Sequence, residues 1–402
     1  MKKRAELLAP AGNFEKLKTA LCFGADAVYL GGKSFSLRSF SDNFGKEELK
    51  EAVEYAHARG KKVYVTANIF AKNADFAALS DYLAYLQEIG ADAALVTDAG
   101  VLALAKKVAP KLPLHISTQA NTTNKYAAKF WQEQGAERVV LARELSLAEI
   151  KEIKDFCPDL ELEVFVHGAM CISYSGRCLL SNYLAGRDSN RGECVQACRW
   201  KYFLRAEGKE GEIYAEEDGR GTYIFNSKDL NLSARLDELA AAGADSFKIE
   251  GRMKSAYYVA TVVNAYRRLM DGKMTAEEAA RELDTAAHRD YTEAYAFGNN
   301  DKTVNYADSQ TAGTRIYTAN VLEGAHAGGA ALIEMRNRFR LGDELEILSP
   351  SDSFGRRFVV EEMRGEDGES VADAKLVQQK LRVFCPYELC AGDILRRIPK
   401  GE

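Results

Sequence analysis

Four times along this chain a helical stretch closes on Gly-Ala-acidic and passes at once into a short apolar run. The repeats are Gly24-Ala25-Asp26 before AVYLGG, Gly90-Ala91-Asp92 before AALVTD, Gly135-Ala136-Glu137 before RVVLARE, and Gly243-Ala244-Asp245 before SFKIEG. Glycine in that place ends a helix with a left-handed residue, and a short apolar run without clean alternation is what a strand buried on both faces requires. Such repeated helix-to-strand grammar restricts the chain to α/β architectures. Further strands lie between the repeats: ELLAP at 6–10, KKVYVTAN at 61–68, LPLHISTQ at 112–119 and LELEVFVHG at 160–168. Eight strands, each followed by helical sequence or a long insertion, predict a (βα)8 TIM-like barrel over residues 1–272, with a doubly wound open sheet as the alternative.

The grammar changes after the eighth strand. A helix is expected from about Ala256 to Met270, then the acidic helical stretch MTAEEAARELDTAAHR; residues 273–310 read as a helical and irregular connector. From there RIYTANVLEG, AALIEMRN, DELEILSP, RRFVVEEMRG and GDILRRI are short strands set off by turn residues. They predict a small C-terminal antiparallel β-barrel over 311–402. A chain of 402 residues is too long for one ordinary core, which agrees with a large domain plus a small one.

Half of the eight cysteines fall in one 28-residue window after the seventh strand, as Cys171, Cys178, Cys194 and Cys198 in the pattern C-x6-C-x15-C-x3-C. Following the seventh strand puts the segment 168–205 at the C-terminal mouth of the barrel, the functional face of that fold. Four thiolates satisfy one zinc ion or one iron–sulfur cluster. Only Cys194 and Cys198 form a close pair, so spacing leaves zinc and iron–sulfur near parity. Arg177, Arg187, Arg191, Arg199, Lys201 and Arg205 outnumber Asp188 and Glu193 in the same stretch, enough to offset a negative cluster or to hold an anionic substrate. Cys22, Cys157, Cys385 and Cys390 read as buried structural thiols.

Net charge is −5, so a polyanionic partner would have to meet a local basic patch. No apolar run is long enough to span a bilayer, and Glu6 and Pro10 interrupt the run a signal peptide needs, which predicts a cytoplasmic protein with reduced thiols and no membrane partner. The radical spacing C-x3-C-x2-C is absent, because Arg199-Trp200-Lys201 follows Cys198. GGKSF lacks the leading glycine of a phosphate loop, the position being Ala27. No GxSxG elbow or HExxH helix is present, and with only five histidines no Ser-His-Asp set is evident, which weighs against proteolysis.

The stretch EVFVHGAMCISYSGRCLLSNYLAGRDSNRGECVQACRWKY closely resembles the signature of the collagenase-like peptidase family, class U, family 32. ELLAPAGNFEKLKTALCFGADAVYLGG, FNSKDL, KIEGRMKS and HRDYTEAYAFG extend the resemblance over nearly the whole chain. The CxxxCRWKY ending is most similar to the branch of prephenate-dependent tRNA uridine hydroxylation proteins. The resemblance implies a barrel holding an iron–sulfur cluster, [4Fe-4S] in type, on Cys171, Cys178, Cys194 and Cys198. Some relatives carry a cysteine shortly after SKDL where this chain has Asn231, and the fourth ligand then falls on Cys198. It further implies tRNA as substrate, prephenate as co-substrate, 5-hydroxyuridine at the wobble position as product, and a related subunit of the same family as a partner. The alternatives are a peptidase and an RNA-binding module with structural zinc.

Barrel logic nominates polar residues at or just beyond strand ends. They are Arg38, Asn68, Asp98, Gln119, Asn121, Arg143, Glu144, His167, Lys248, Glu250 and Arg252. His167, Glu250 and Lys248 are the candidate catalytic groups, His167 because it precedes the first signature cysteine by four residues. Arg38, Asn68, Gln119, Arg143 and Arg252 are the candidate substrate contacts, the arginines because a dicarboxylate favours fork-shaped guanidinium contacts.

Overall fold

The computed structural model describes residues 4–37, 42–200, 227–298 and 313–399. They gather into two compact units: Met1–Leu17, Ala25–Lys254 and His288–Thr311 in the first, Lys18–Gly24, Ser255–Ala287 and Ala312–Glu402 in the second.

In the first unit, β1 (Glu6–Pro10), β2 (Ala27–Gly31), β3 (Lys62–Ala67), β4 (Ala93–Val96), β5 (Leu114–Ile116), β6 (Arg138–Val140) and β7 (Glu161–Ala169) pair in parallel, each with the next. A three-residue strand, β8 (Asp229–Asn231), comes next in the chain, and then β9 (Ser246–Ile249), which pairs in parallel with both β7 and β1. The eight parallel strands therefore close into a TIM-like barrel. Helices α1 (Phe14–Cys22), α2 (Lys46–His57), α3 (Phe76–Glu88), α4 (Ala99–Val108), α5 (Lys125–Glu133) and α6 (Leu147–Phe156) alternate with the strands; α7 (Leu180–Ala185) lies in the cysteine segment and α8 (Leu236–Ala241) precedes β9. Side chains such as Leu7, Leu8, Val28, Leu30, Val63 and Val65 are fully buried, each worth about 1.5–3 kcal/mol of burial.

The Gly-Ala-acidic repeat has a structural reason beyond ending helices. All four glycines adopt positive φ, and at Gly243 an added Cβ would also come within 2.3 Å of the Lys154 side chain. The carboxylates of Asp26, Asp92 and Asp245 each accept the backbone N–H of the second residue of the neighbouring strand, from Leu7 at 2.9 Å, Val63 at 2.8 Å and Leu162 at 2.9 Å. Their own N–H groups donate back to the carbonyls of Leu7, Val63 and Leu162. Each of these aspartates is a two-point clip that sets strand register.

The strand β8 departs from the repeat. It runs antiparallel along the C-terminal end of β7, with His167 opposite Asn231 and Ala169 opposite Asp229. A further two-residue strand, β10 (Tyr291–Thr292), lies parallel to it, drawn from the stretch expected to be an irregular connector, and α11 (Ala294–Phe297) follows.

The second unit contains α9 (Ala256–Met270), with the bounds expected from sequence, and α10 (Ala276–Leu283), opened by a Thr275–Glu278 capping box. Its strands are β11 (Ile316–Glu323), β12 (Gly329–Met335), β13 (Phe339–Arg340), β14 (Glu344–Leu348), β15 (Arg357–Val359), β16 (Met363–Gly365), β17 (Asp373–Ala374), β18 (Lys380–Cys385) and β19 (Ile394–Arg397). Seven form one antiparallel sheet in the order β15-β14-β19-β11-β12-β18-β16, whose outer strands are not paired to each other, and β13 pairs with β17. This antiparallel half-barrel wraps a core that includes Ile333, Phe339, Ile347, Leu381 and Leu395. Inside the unit the buried Arg396 bridges Glu282 at 2.6 Å and Glu346 at 2.6 Å. Cys157 and Cys385 are buried as expected, whereas Cys22 and Cys390 are exposed. Among the described residues no helix is long and apolar enough to cross a membrane.

Candidate functional site at the C-terminal mouth of the barrel

Cys171 comes two residues after the end of β7, and the segment that follows is pinned to the loops leaving β3, β5 and β6. The backbone N–H of Ser175 donates to Glu144 at 2.9 Å, and Phe70 N–H donates to the Asn190 carbonyl at 2.9 Å. Gln119 donates to Asn190 at 3.0 Å, and Arg191 reaches both Asp75 at 2.8 Å and the Phe70 carbonyl at 2.6 Å. Gly176 has φ +74°, and an added Cβ would sit 2.1 Å from the Gln119 carbonyl oxygen, so only glycine permits this approach. Within the segment, Ser189 and Asn190 donate to the Cys178 carbonyl at 3.0 and 2.9 Å, and Val195 N–H donates to Ser181 at 3.1 Å. These bonds hold the thiols on the C-terminal face.

All four signature thiols are free. Cys171 and Cys178 share a hydrogen bond, which raises the Cys171 thiol and, helped by Ser173, the Leu180 N–H and Ser189 against the cost of burial, lowers Cys178 to about 4. Of the two, Cys178 is the sulfur that gives up its proton more readily. Burial raises Cys198, with Arg199 and Arg289 pulling it down and Cys194 and Cys178 pushing it up. The four sulfurs are thus linked as two neighbouring pairs within electrostatic reach of each other. Among the described residues, no three His, Cys, Asp or Glu side chains already converge on one point as a single ion would require.

Beside Cys198 stands a cationic wall of which the sequence alone points to Arg199 and not to Lys254 or Arg289. Asp229, on β8, accepts from the buried Arg289 at 2.5 Å, and although burial would raise its carboxyl, Arg289 holds it below the usual range. Burial depresses Lys254, with Arg289 and Arg199 adding to the effect against Asp229 and Glu250. Arg199 is likewise lowered by burial and then by Arg289. His288 stacks on Tyr291 at 4.1 Å between centroids, and Tyr291 in turn meets the His167 ring at 5.4 Å. The signal for part of this wall lay in HRDYTEAYAFG, which the sequence shows to be distinctive without showing what it faces.

The nominated residues fall in different places. His167 is buried on β7, and burial, then His288 and Lys254 against Asp229, lowers its imidazole to about 3. Glu250 accepts from the Tyr29 hydroxyl at 3.2 Å. Lys248 lies deeper, bonded to buried Glu163 at 2.7 Å and over the Tyr29 ring at 4.3 Å. Arg252 is buried and donates to Ser36 at 2.7 Å; Arg143 donates to the Ala169 carbonyl at 3.1 Å and covers the Phe165 ring at 4.0 Å. Asn68 donates to Ser117 at 3.1 Å, Gln119 is taken up by Asn190, and Asp98 caps α4 through Val101 N–H at 2.8 Å. The structure therefore brings Gln119, Arg143 and Glu144 to the thiol segment and His167 to the cationic wall, and sets Lys248 in the barrel interior. Arg38, Lys201 and Arg205 lie outside the described residues.

That interior is itself charged. Arg138 joins Glu6 at 2.6 Å, Glu161 at 2.7 Å and Glu163 at 3.0 Å, and Tyr64 donates to Glu6 at 2.7 Å. A cavity of about 490 Å³ opens here, lined by Lys62, Tyr64, His115, Glu137, Arg138 and Glu161. These residues are at strand starts, the end that serves stability in such barrels, so its volume does not mark the chemistry.

Residues 12–306 match the family described as Peptidase family U32, and residues 314–396 match the Peptidase family U32 C-terminal domain. A Bacillus subtilis (strain 168) protein named tRNA hydroxylation protein P1 is 40% identical, over 98% of this chain and 95% of its own length. The Escherichia coli (strain K12) tRNA hydroxylation protein P is 37% identical over 92% of this chain and 91% of its own. The Escherichia coli (strain K12) 23S rRNA 5-hydroxycytidine C2501 synthase is 38% identical over 67% of this chain and 39% of its own.

Proposed function

This chain belongs to peptidase family U32, and we propose that it acts on RNA rather than on peptides, hydroxylating the wobble uridine of tRNA to 5-hydroxyuridine with prephenate and an iron–sulfur cluster. Near-full-length identity to proteins named for tRNA hydroxylation supports the substrate. The observation that carries the chemistry is the set of four free thiols tethered on the barrel's C-terminal face.

The donor set fits such a cluster. Thiolates are its ligands, one to each iron of a four-iron cluster, so four thiols within reach of one another suit it. Cys171, Cys178, Cys194 and Cys198 would hold it, and Arg199 and Arg289, whose charges already act on Cys198, would offset its negative charge. When bound, the cluster would supply one-electron chemistry at the mouth of the barrel. Prephenate is a dicarboxylate and needs cations at the mouth. Arg199, Lys254 and Arg289 set three cations against Asp229 and Glu250, and that excess of positive charge would seat a carboxylate of prephenate. His167, neutral and buried, holds its ring against Tyr291 and walls the site without adding charge.

Two measurements test this reading. Anaerobically purified protein should show the broad visible absorption of an iron–sulfur cluster, and Cys178→Ser should bleach it. Nucleoside mass spectrometry of tRNA from a deletion strain should show loss of 5-hydroxyuridine, restored by the wild-type gene and not by Cys178→Ser. Stoichiometric zinc with no visible absorption would overturn the cluster, and an unchanged nucleoside profile would overturn the activity.

A further inference from the structure

The cysteine segment turns several large apolar side chains outward, while Ile172, Leu180 and Val195 are half-buried. In α7 the buried side chain is Ser181, while Tyr183 is 88% exposed and Leu184 is exposed beside it. Leu179, just before the helix, is 71% exposed, and Tyr174, between the first two cysteines, is 57% exposed. Hydrophobic burial would favour the reverse arrangement, with the serine out and the leucine and tyrosine in. The inversion is fixed rather than loose: Ser181 is held by Val195 N–H at 3.1 Å, and the Cys178 carbonyl at the start of the stretch takes two side-chain hydrogen bonds.

Charge points to the kind of partner. Residues 171–200 carry four arginines, Arg177, Arg187, Arg191 and Arg199, against Asp188 and Glu193, within a chain whose net charge is −5. Arg191 bonds Asp75, Arg177 is exposed between Tyr174 and Leu179, and half-buried Arg187 follows the helix. Exposed aromatic faces interleaved with guanidinium groups are the chemistry that receives unpaired nucleobases and their phosphates. Tyr183 is five residues from Cys178 and therefore within about 18 Å of it by chain length alone.

We propose that Tyr174, Leu179 and Tyr183, flanked by Arg177 and Arg187, form a stacking platform for the unpaired bases of a single-stranded RNA loop, which on the tRNA reading above is the anticodon loop. The inference rests on that reading for the identity of the RNA. The platform would grip neighbouring bases and so hold the target base at the thiol segment.

The test uses the full chain, purified anaerobically, and a fluorescently labelled anticodon stem-loop carrying the wobble uridine. Tyr174→Ala/Tyr183→Ala should weaken binding at least tenfold, since each stacked base is worth about five- to 150-fold, with the visible spectrum unchanged. Tyr183→Trp keeps a stacking face and should bind within a few fold of wild type, which guards against a folding defect in the alanine variant. Arg177→Gln should reduce the dependence of log Kd on log salt by about 0.7, the amount for one phosphate of a single strand. If the wild type binds and modifies tRNA but the double alanine variant binds equally well, the platform is overturned while the activity stands. Wild-type protein that neither binds nor modifies tRNA overturns both. A change of oligomeric state in the double variant at unchanged RNA affinity would make this face a contact between copies, and the proposal would fall.

Discussion

His167 and His115 are both buried in the barrel, and neither can take up a proton there at ordinary cost. Burial, reinforced by Arg138 and Lys248, holds His115 well below the usual imidazole range, and its Nδ1 has no hydrogen-bond partner among the described residues. His167 titrates at about 3 in the fold, whereas the unfolded chain protonates it near pH 6.5. The unfolded state therefore binds more protons between these values, so stability is full above about pH 7 and is lost as the pH falls through 6.5 towards 3. His167 alone should cost about 2 kcal/mol between pH 7 and pH 5. Urea unfolding at the two pH values should show that loss in the wild type and a smaller one in His167→Gln; equal losses in both proteins would refute the assignment. At this scale the sequence was legible where chemistry is local. Four cysteines in one window announced themselves, whereas Asp229, Lys254 and Arg289 come from three separate stretches, and the pairing of β8 with β10 is what sets Arg289 against Asp229. Arg252 lies just beyond β9 whereas Lys248 lies within it, and spacing cannot say that Ser36 and Glu163 already engage them.

At the scale of elements, the clips of Asp26, Asp92 and Asp245 explain why the strand pattern could be read so directly. Each carboxylate binds the N–H of the second residue of a neighbouring strand, so the repeat in sequence is also a repeat in register. Asp245→Ala removes an acceptor from the Leu162 N–H and an ion-pair partner from Lys154 at 2.9 Å. A loss of about 1–3 kcal/mol is expected from a hydrogen bond to a charged group, measured by urea unfolding at pH 7. An effect within error of zero would mean that the backbone bonds alone set the register. Strands without such grammar were missed. Three residues long, β8 is too short to carry a pattern, and its antiparallel course depends on the overlong end of β7. In the second unit KLRVFC, now β18, was passed over although its burial alternates along the strand; RRFVVEEMRG proved to be two strands, β15 and β16.

At the scale of the molecule, each unit carries charge in its interior and has to balance it. In the second unit Arg396 faces Glu282 and Glu346 with almost no exposure, so Arg396→Met takes the ion-pair partner from buried Glu282, while Glu346 keeps Arg357 at 2.9 Å and Arg315 at 3.4 Å. That should cost about 3–5 kcal/mol. Adding Glu282→Gln should recover more than half of it, and a double variant no more stable than the single one would show that packing, not charge, is at stake. In the first unit the seam that closes the barrel joins Leu162 to Asp245 across 83 positions, against 29 for the Val63–Asp92 clip. Loop closure grows only with the logarithm of length, so the longer excursion costs about 1 kcal/mol more. The thiol segment and β8 occupy that excursion. The closing seam is thus an inexpensive place to graft new parts, and a lineage could exchange the whole insert for one with a different substrate while inheriting the barrel unchanged.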